Sequence, residues 1–298
     1  MRFLIGISGY KGSGKTFTGN YIQRQLLNSL SDYNIYIYRM SLAGVFKDFL
    51  SNRLRLEKNI MKSKENDKFY IMTLNNSFIN MSSAEQKYII KDRTLEFLSH
   101  IVKSNYNDKL DKYYLDHNKH FDEFQSVIIK YYELVRKYKV KEDLAFNYLE
   151  FYTEEERDAI YEELHHLWRK SAQLFGTELG RAINENIWID FVMGSLDRFE
   201  ENWDAEYFIL IVDDVRFVNE AKRFKSRSDI AAKIISIMTN LDEVKAQDNH
   251  ASEREIPLVR KEEADIVVFN SYDNDYLRLL DEEVIDRLSS WFIRIIKE

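Results

Sequence analysis

The sequence of 298 residues contains no cysteine, a single proline, Pro257, and only nine glycines. Without cysteine, the chain can form neither a disulfide bond nor a metal site with thiolate ligands. Proline and glycine interrupt helices more than other residues do, so their scarcity favours long helices over an architecture rich in tight turns. These absences exclude disulfide-stabilised and cysteine-ligated proteins.

An excess of positive charge and long apolar runs are also missing. The formal net charge of −7 disfavours nucleic acid as a partner, because capture of its phosphate backbone requires a positively charged surface. No run reaches the roughly 18 apolar residues of a membrane-spanning helix, so we expect no membrane association. No signal-peptide cleavage site follows the apolar N-terminal residues, and we expect a cytoplasmic location.

Apolar runs and helical patterns alternate in the N-terminal part of the chain. Residues 2–8 form a short apolar run, residues 16–30 carry apolar side chains at helical spacing, and residues 34–40 alternate like a second strand. A strand, a loop, a helix and a strand in this order begin a parallel α/β sheet. Further strands are predicted at 207–213, 232–238 and 265–269, and helices at 42–55, 166–180, 183–202, from about 218, and at 281–297.

The most informative motif is Gly9-Tyr10-Lys11-Gly12-Ser13-Gly14-Lys15-Thr16. It matches the phosphate-binding loop (P-loop) pattern G-x-x-x-x-G-K-[ST] at every fixed position, between a predicted strand and a predicted helix. Its glycines let successive backbone N–H groups point at phosphate oxygens, and the helix N-terminus adds partial positive charge. The alternative is a chance match at an ordinary strand-to-helix turn.

The motif predicts ATP and Mg²⁺ as cofactors. We expect Lys15 to contact the β- and γ-phosphates and the Thr16 hydroxyl to bind the metal. The predicted cofactor-binding residues are Lys11, Gly12, Ser13, Gly14, Lys15 and Thr16. The fold class that follows is an α/β P-loop NTPase, with helices flanking a mostly parallel sheet.

Residues 56–165 differ from the rest of the chain because they contain neither glycine nor proline and carry several helical patterns. Their aromatic content argues against disorder. We predict a large helical insertion over 56–165, forming a lid lobe beside a core made of residues 1–55 and 166–298.

A second group of polar residues follows the apolar run at 207–213. Asp214 and Arg216 are two residues apart and share a face of an extended chain, and Glu220 follows at the start of the next helix. A carboxylate at this strand end commonly lies beside the metal in P-loop enzymes, and arginine suits forked phosphate contacts. The alternative is a solvated turn with one local ion pair.

A third group lies on the predicted helix 166–180. Arg169, Gln173 and the pair Gly176–Thr177 fall along one stripe, and the glycine allows close approach of a ligand or another helix. Lys47, one turn after the second strand, is expected near the carboxyl edge of the sheet. The alternatives are a charged helix face with packing glycines and a solvated lysine.

The chain resembles the bacteriophage deoxynucleoside monophosphate kinases in four short patches that occur in the same order. They are the loop at 9–16, Leu-Ala-Gly-x-x-Lys at 42–47, Arg-x-x-x-Gln-x-x-Gly-Thr-Glu at 169–178 with Trp188 beyond it, and Asp-x-Arg-Phe-x-Asn-Glu at 214–220. A looser His-x-x-Glu at 250–253 also agrees. Residues 51–165 do not align with the family pattern, which leaves the choice of substrate open.

The resemblance implies transfer of the γ-phosphoryl group of ATP to a deoxynucleoside 5′-monophosphate by a cytoplasmic homodimer. The substrate-binding residues that it implies are Lys47, Arg169, Gly176, Thr177, Trp188, Asp214, Arg216 and Glu220. We assign catalytic roles to Lys15, Arg169, Asp214 and Arg216, and we take Arg93 as the first lid arginine to test. Two other hypotheses stay open: a P-loop kinase acting on a modified base in DNA, and a nucleotide-gated protein that binds a partner.

Overall fold

The computed structural model describes residues 1–56, 61–62, 69–70, 81–139, 153–202, 204–240, 242 and 251–298. The chain forms two compact units. The first contains residues 1–43 and 188–298, and the second contains residues 44–187. Composition placed the domain boundaries at 55 and 165 instead, and that division into a core and an insertion stays a prediction.

The helices and strands of the described residues are as follows. The strands are β1 (Arg2–Ser8), β2 (Ile35–Met40), β3 (Met61–Lys62), β4 (Phe69–Tyr70), β5 (Tyr207–Val215), β6 (Ile230–Thr239) and β7 (Ile266–Asn270). The α-helices are α1 (Lys15–Ser29), α2 (Leu42–Asn52), α3 (Ser83–Tyr106), α4 (Tyr114–His117), α5 (Phe121–Lys139), α6 (Glu154–Gln173), α7 (Arg181–Ile183), α8 (Ile187–Asn202), α9 (Val218–Ser226), α10 (Ala251–Arg254), α11 (Ile256–Glu262), α12 (Asn274–Leu279) and α13 (Asp286–Lys297). Two π-helical segments occupy Leu174–Gly180 and Leu280–Ile285.

The first unit is built on a five-stranded sheet in the order β2-β5-β1-β6-β7, and every neighbouring pair is parallel. β1 therefore lies in the middle, hydrogen-bonded to β5 on one side and to β6 on the other. Because the strands are parallel, their carboxyl ends share one edge, which is where open α/β sheets bind ligands. The predicted α/β fold with flanking helices is confirmed.

Burial of apolar side chains on both faces explains why β1 and β5 are continuous apolar runs. On one face, Phe3 of β1 lies 5.5 Å from the ring centre of Trp291 and 4.4 Å from that of Phe292 in α13. Edge-to-face packing of this kind adds to the free energy gained by burial. The C-terminal helix thus covers the sheet behind the strand that leads into the phosphate-binding motif.

The described residues of the second unit are mainly helical. Its core includes an aromatic cluster in which the ring centre of Phe49 lies 4.4 Å from that of Phe97 and 4.8 Å from that of Phe175. A short antiparallel pairing of β3 with β4, which the sequence analysis did not predict, also occurs here.

Capping residues explain two helix boundaries that periodicity missed. The helix predicted from residue 166 begins at Glu154, because the Thr153 hydroxyl accepts from the Glu156 amide while the Glu156 carboxylate accepts from the Thr153 amide. The same arrangement at Ser82 and Glu85 begins α3. Among the described residues, no helix combines the length and the apolarity needed to cross a membrane.

Candidate functional site

The loop between β1 and α1 needs its glycines. Gly12 and Gly14 adopt φ angles of 76° and 93°, in the left-handed region that side chains with a Cβ seldom enter. A Cβ on Gly14 would also lie 2.6 Å from the side-chain nitrogen of Asn270. The backbone therefore follows the tight curve that the motif predicts, at the carboxyl edge of the central strand.

Lys15, the lysine of the motif, is 8% exposed, and its ammonium donates hydrogen bonds of 2.7 Å to the carbonyl oxygens of Gly9 and Tyr10. Burial and, to a smaller extent, the positive charge of Arg216 lower the pKa of Lys15 to about 8, while nearby carboxylates oppose the shift. A negatively charged ligand would therefore stabilise this buried ammonium.

Two hydroxyls of this region are buried and have no hydrogen-bond partner among the described residues, the Oγ atoms of Ser8 and Ser13. A buried hydroxyl without a partner costs about 1–3 kcal/mol. Ser13 belongs to the motif, so its orphaned hydroxyl fits a loop that receives phosphate oxygens. Lys11 and Thr16 are exposed.

A support for the loop comes from the end of β7. Asn270 is buried and donates a 3.0 Å hydrogen bond to the Ser13 carbonyl, and its side-chain oxygen accepts from the Tyr272 amide. The Tyr272 hydroxyl donates to the Gly12 carbonyl at 3.0 Å. Neither residue was predicted from the sequence. Asn270 could have been found, because it is a polar residue at the end of an apolar strand, at the edge where such sheets bind ligands.

The two adjacent aspartates at the end of β5 have different surroundings. Asp214 accepts hydrogen bonds from the Ser41 hydroxyl (2.6 Å) and from the amides of Leu42 (2.6 Å) and Ala43 (2.9 Å). Its carboxylate therefore caps the N-terminus of α2, where such amides lack partners within the helix. The predicted position of Asp214 beside the metal and its predicted contact with substrate stay predictions.

Asp213 is 6% exposed and forms an ion pair with Arg39 of β2. Burial raises the pKa of Asp213, and the neighbouring charge of Asp214 raises it further, against the opposing effect of Arg39. A Cβ on Gly19 of α1 would lie 3.2 Å from Arg39 and 3.4 Å from Asp213, so this glycine lets the helix pack against the pair. The sequence analysis missed both Asp213 and Arg39 as site residues.

Arg216 and Glu220 are in contact, but through the main-chain amide of Arg216 and not through its guanidinium. The buried Glu220 carboxylate accepts hydrogen bonds from the amides of Arg216 (2.9 Å) and Phe217 (3.1 Å) and so caps α9. The Arg216 guanidinium pairs with Glu253 at 2.5 Å. Glu220, predicted to bind substrate, therefore has a structural role at a helix terminus, and its predicted contact with substrate is untested.

The second unit contains four more of the predicted acceptor residues, Lys47, Arg169, Gly176 and Thr177. The Lys47 ammonium lies 5.9 Å from the centre of the Trp168 ring, a cation–π contact, and Arg169 is exposed on α6. Gly176 and Thr177 lie in the π-helical segment Leu174–Gly180, a form often found at functional sites. A Cβ on Gly176 would lie 2.6 Å from the Phe46 ring, so this glycine permits helix packing.

Trp188, Arg93 and His250 are the remaining residues that the sequence singled out. Trp188 lies in the first unit and is 3% exposed, which matches a core tryptophan; its contact with the acceptor base stays a prediction. Arg93 of the second unit donates to the Arg53 carbonyl, and both line a cavity of about 400 Å³ with the basic residues His100 and Lys103. His250 lies outside the described residues.

Comparison with models of known protein families gives a match over nearly the whole chain. The model of the deoxynucleotide monophosphate kinase family matches residues 3–279, nearly the whole chain. The match runs through residues 51–165, which the motif comparison had left unplaced. No curated protein matches the chain.

Proposed function

Because the chain belongs to the deoxynucleotide monophosphate kinase family and is therefore a phosphotransferase, we propose that it uses ATP to phosphorylate deoxynucleoside 5′-monophosphates. An oxygen of the acceptor's phosphate forms a bond to the γ-phosphorus, and the bond from that phosphorus to the β–γ bridging oxygen breaks. The products are ADP and a deoxynucleoside diphosphate. The observation that carries this proposal is the buried Lys15 inside a glycine-dependent loop at the end of the central strand.

Several features of the loop fit a triphosphate. The N-terminus of α1 presents amides without helical partners, the Ser13 hydroxyl is buried and unpaired among the described residues, and Lys15 supplies positive charge. With a pKa of about 8, Lys15 is mainly protonated at neutral pH. The exposed Thr16 would hold Mg²⁺, which when bound neutralises charge on the β- and γ-phosphates.

On the acceptor side, Arg216 is the residue of the first unit that the arrangement favours. The positive charge of Arg216 lowers the pKa of Lys15, so the two cations lie near each other at the edge of the sheet. One cation on the donor and one on the acceptor is the arrangement that phosphoryl transfer needs, because catalysis depends on alignment and charge neutralisation. We propose that Arg216 binds the acceptor phosphate or the charge that develops during transfer.

The roles of Asp214, Lys47, Arg169, Gly176, Thr177, Trp188 and Glu220 in acceptor binding are proposals of the same kind. They derive from the family resemblance and are tested by substitution. The homodimer is also a proposal, and sedimentation of the purified chain over a range of concentrations tests it.

The experiment that tests the function is ADP release, measured in a coupled assay across nucleoside and deoxynucleoside monophosphates. We expect acceptor-dependent ADP release with deoxynucleoside monophosphates and loss of that release in Lys15→Ala. ATP binding without acceptor-dependent ADP release would contradict the proposal and favour a nucleotide-gated binding protein. Release that depends on duplex DNA would favour a kinase acting on a base in DNA.

A further inference from the structure

Glu253, in the short helix α10, forms a buried ion pair with Arg216. The residue is 7% exposed, and its carboxylate lies 2.5 Å from the Arg216 guanidinium. The Arg216 side chain is 29% exposed. A buried carboxylate therefore holds a guanidinium that still reaches the surface of the unit, so the arginine is fixed and remains accessible to a ligand.

The backbone around Arg216 is held by two more glutamates. Glu220 accepts from the amides of Arg216 and Phe217, and Glu255 accepts from the Val218 amide at 3.0 Å. Glu253 and Glu255 thus come from one segment and contact the same loop in different ways. Glu253 contacts the arginine side chain, and Glu255 contacts the main chain at the start of α9.

Glu253 also balances charge beside the phosphate-binding loop. Lys15 is influenced by the positive charge of Arg216 and, in the opposite direction, by the negative charge of Glu253. Two cations that must each bind a phosphate repel one another when the phosphates are absent. A carboxylate beside both reduces that repulsion and favours an arrangement in which both cations are already in place.

We propose that Glu253 is a positioning residue for phosphoryl transfer, which holds the Arg216 guanidinium in the orientation that receives a phosphate group. This inference rests on the proposed function. Arginine has a long flexible side chain, and fixing it before the substrate binds lowers the entropy lost on the way to the transition state. The competing interpretation is that the pair only ties α10 to the loop and contributes to stability alone.

Three single variants separate these interpretations. Glu253→Gln keeps the size and a hydrogen-bond acceptor but removes the charge, Glu253→Asp keeps the charge, and Glu255→Gln removes a neighbouring carboxylate that does not contact the guanidinium. We expect E253Q to lower kcat about 10–100-fold, as small misplacements of catalytic groups do, with a smaller change in the KM for ATP. E253D should recover part of the loss, and E255Q should match the wild type.

A double-mutant cycle with Arg216→Ala tests whether Glu253 acts through Arg216. If it does, adding E253Q to R216A lowers kcat/KM no further, because the group that Glu253 positions is already gone. An equal loss from E253Q in both backgrounds would overturn the proposal, and so would unchanged kinetics of E253Q in the wild-type background. Thermal unfolding of each variant shows which variants are folded. If E253Q is not folded, E253D replaces it in the double-mutant cycle.

The outcomes also separate this inference from the proposed function. A wild-type chain that shows no acceptor-dependent ADP release overturns both. An active wild type with a fully active E253Q overturns the role of Glu253 alone.

Discussion

Asp214 accepts a 2.6 Å hydrogen bond from the Ser41 hydroxyl, and its carboxylate also caps the first amides of α2. The carboxylate at the end of a central strand, which the sequence predicted to lie beside the metal, thus stabilises a helix terminus. The two roles make different predictions.

We expect Asp214→Ala to lower the free energy of unfolding by about 1–2 kcal/mol, because the cap and the bond from Ser41 are both lost. Urea denaturation measures this loss. Ser41→Ala, which removes one of the three bonds, is the matched control and should cost less. If the folded D214A protein keeps its kcat, the predicted catalytic role of Asp214 is wrong.

Lys15→Met should abolish phosphoryl transfer and raise stability at neutral pH by on the order of 1–3 kcal/mol, since a buried charge is removed. The pKa of Lys15 is lowered to about 8 in the folded protein, so the cost of the buried ammonium is fully present below pH 8. This cost declines as pH rises above about 8 and is gone above the ordinary pKa of lysine, 10.5. The difference in free energy of unfolding between the variant and the wild type should therefore fall at high pH. A difference that is the same at all pH values would contradict a buried, charged Lys15.

Asn270→Ala should weaken ATP binding about tenfold, the equivalent of one lost hydrogen bond of about 1.4 kcal/mol, because the Ser13 carbonyl loses its donor. Titration calorimetry with ATP measures the change. Asn20→Ala, at an exposed position of α1, is the control and should bind ATP like the wild type. Unchanged affinity in N270A would show that the end of β7 does not support the loop.

Gly176→Ala should destabilise the protein by about 1–3 kcal/mol, because the new methyl group overlaps the Phe46 ring. The double variant with Phe46→Ala should show a smaller additional cost from the glycine substitution than the single variant does. Unfolding curves of the four proteins in the cycle test this. Equal costs in both backgrounds would show that overlap with the Phe46 ring is not the reason for glycine at this position.

Local patterns were enough to predict the phosphate-binding loop and most of the sheet. The loop is one continuous segment between a strand and a helix, so all the residues of the motif lie within eight positions of the sequence. The strands at 2–8 and 207–213 were identified because both faces are buried, which makes each one a short apolar run.

Contacts between distant parts of the chain were not predictable in this way. Arg39 and Asp213 meet only because β2 and β5 are neighbours in the sheet, and Asn270 reaches Ser13 only because β7 ends at the same edge. The Ser252-Glu253-Arg254-Glu255 segment has the sequence pattern of a capping box, in which the side-chain contacts are local. The structure instead directs the Glu253 carboxylate to Arg216 and the Glu255 carboxylate to the Val218 amide.

The central position of β1 determines when the sheet can form while the chain is being synthesised. β1 is made first, but its sheet partners are β5 and β6, which end at residues 215 and 239. Pairing over such separations makes folding slow, because a long loop must close before any contact forms. A nascent chain that carries the complete loop sequence therefore has no sheet to hold it until β5 and β6 have left the ribosome. ATP-binding ability should accordingly appear late, and N-terminal fragments that stop before β6 should lack it.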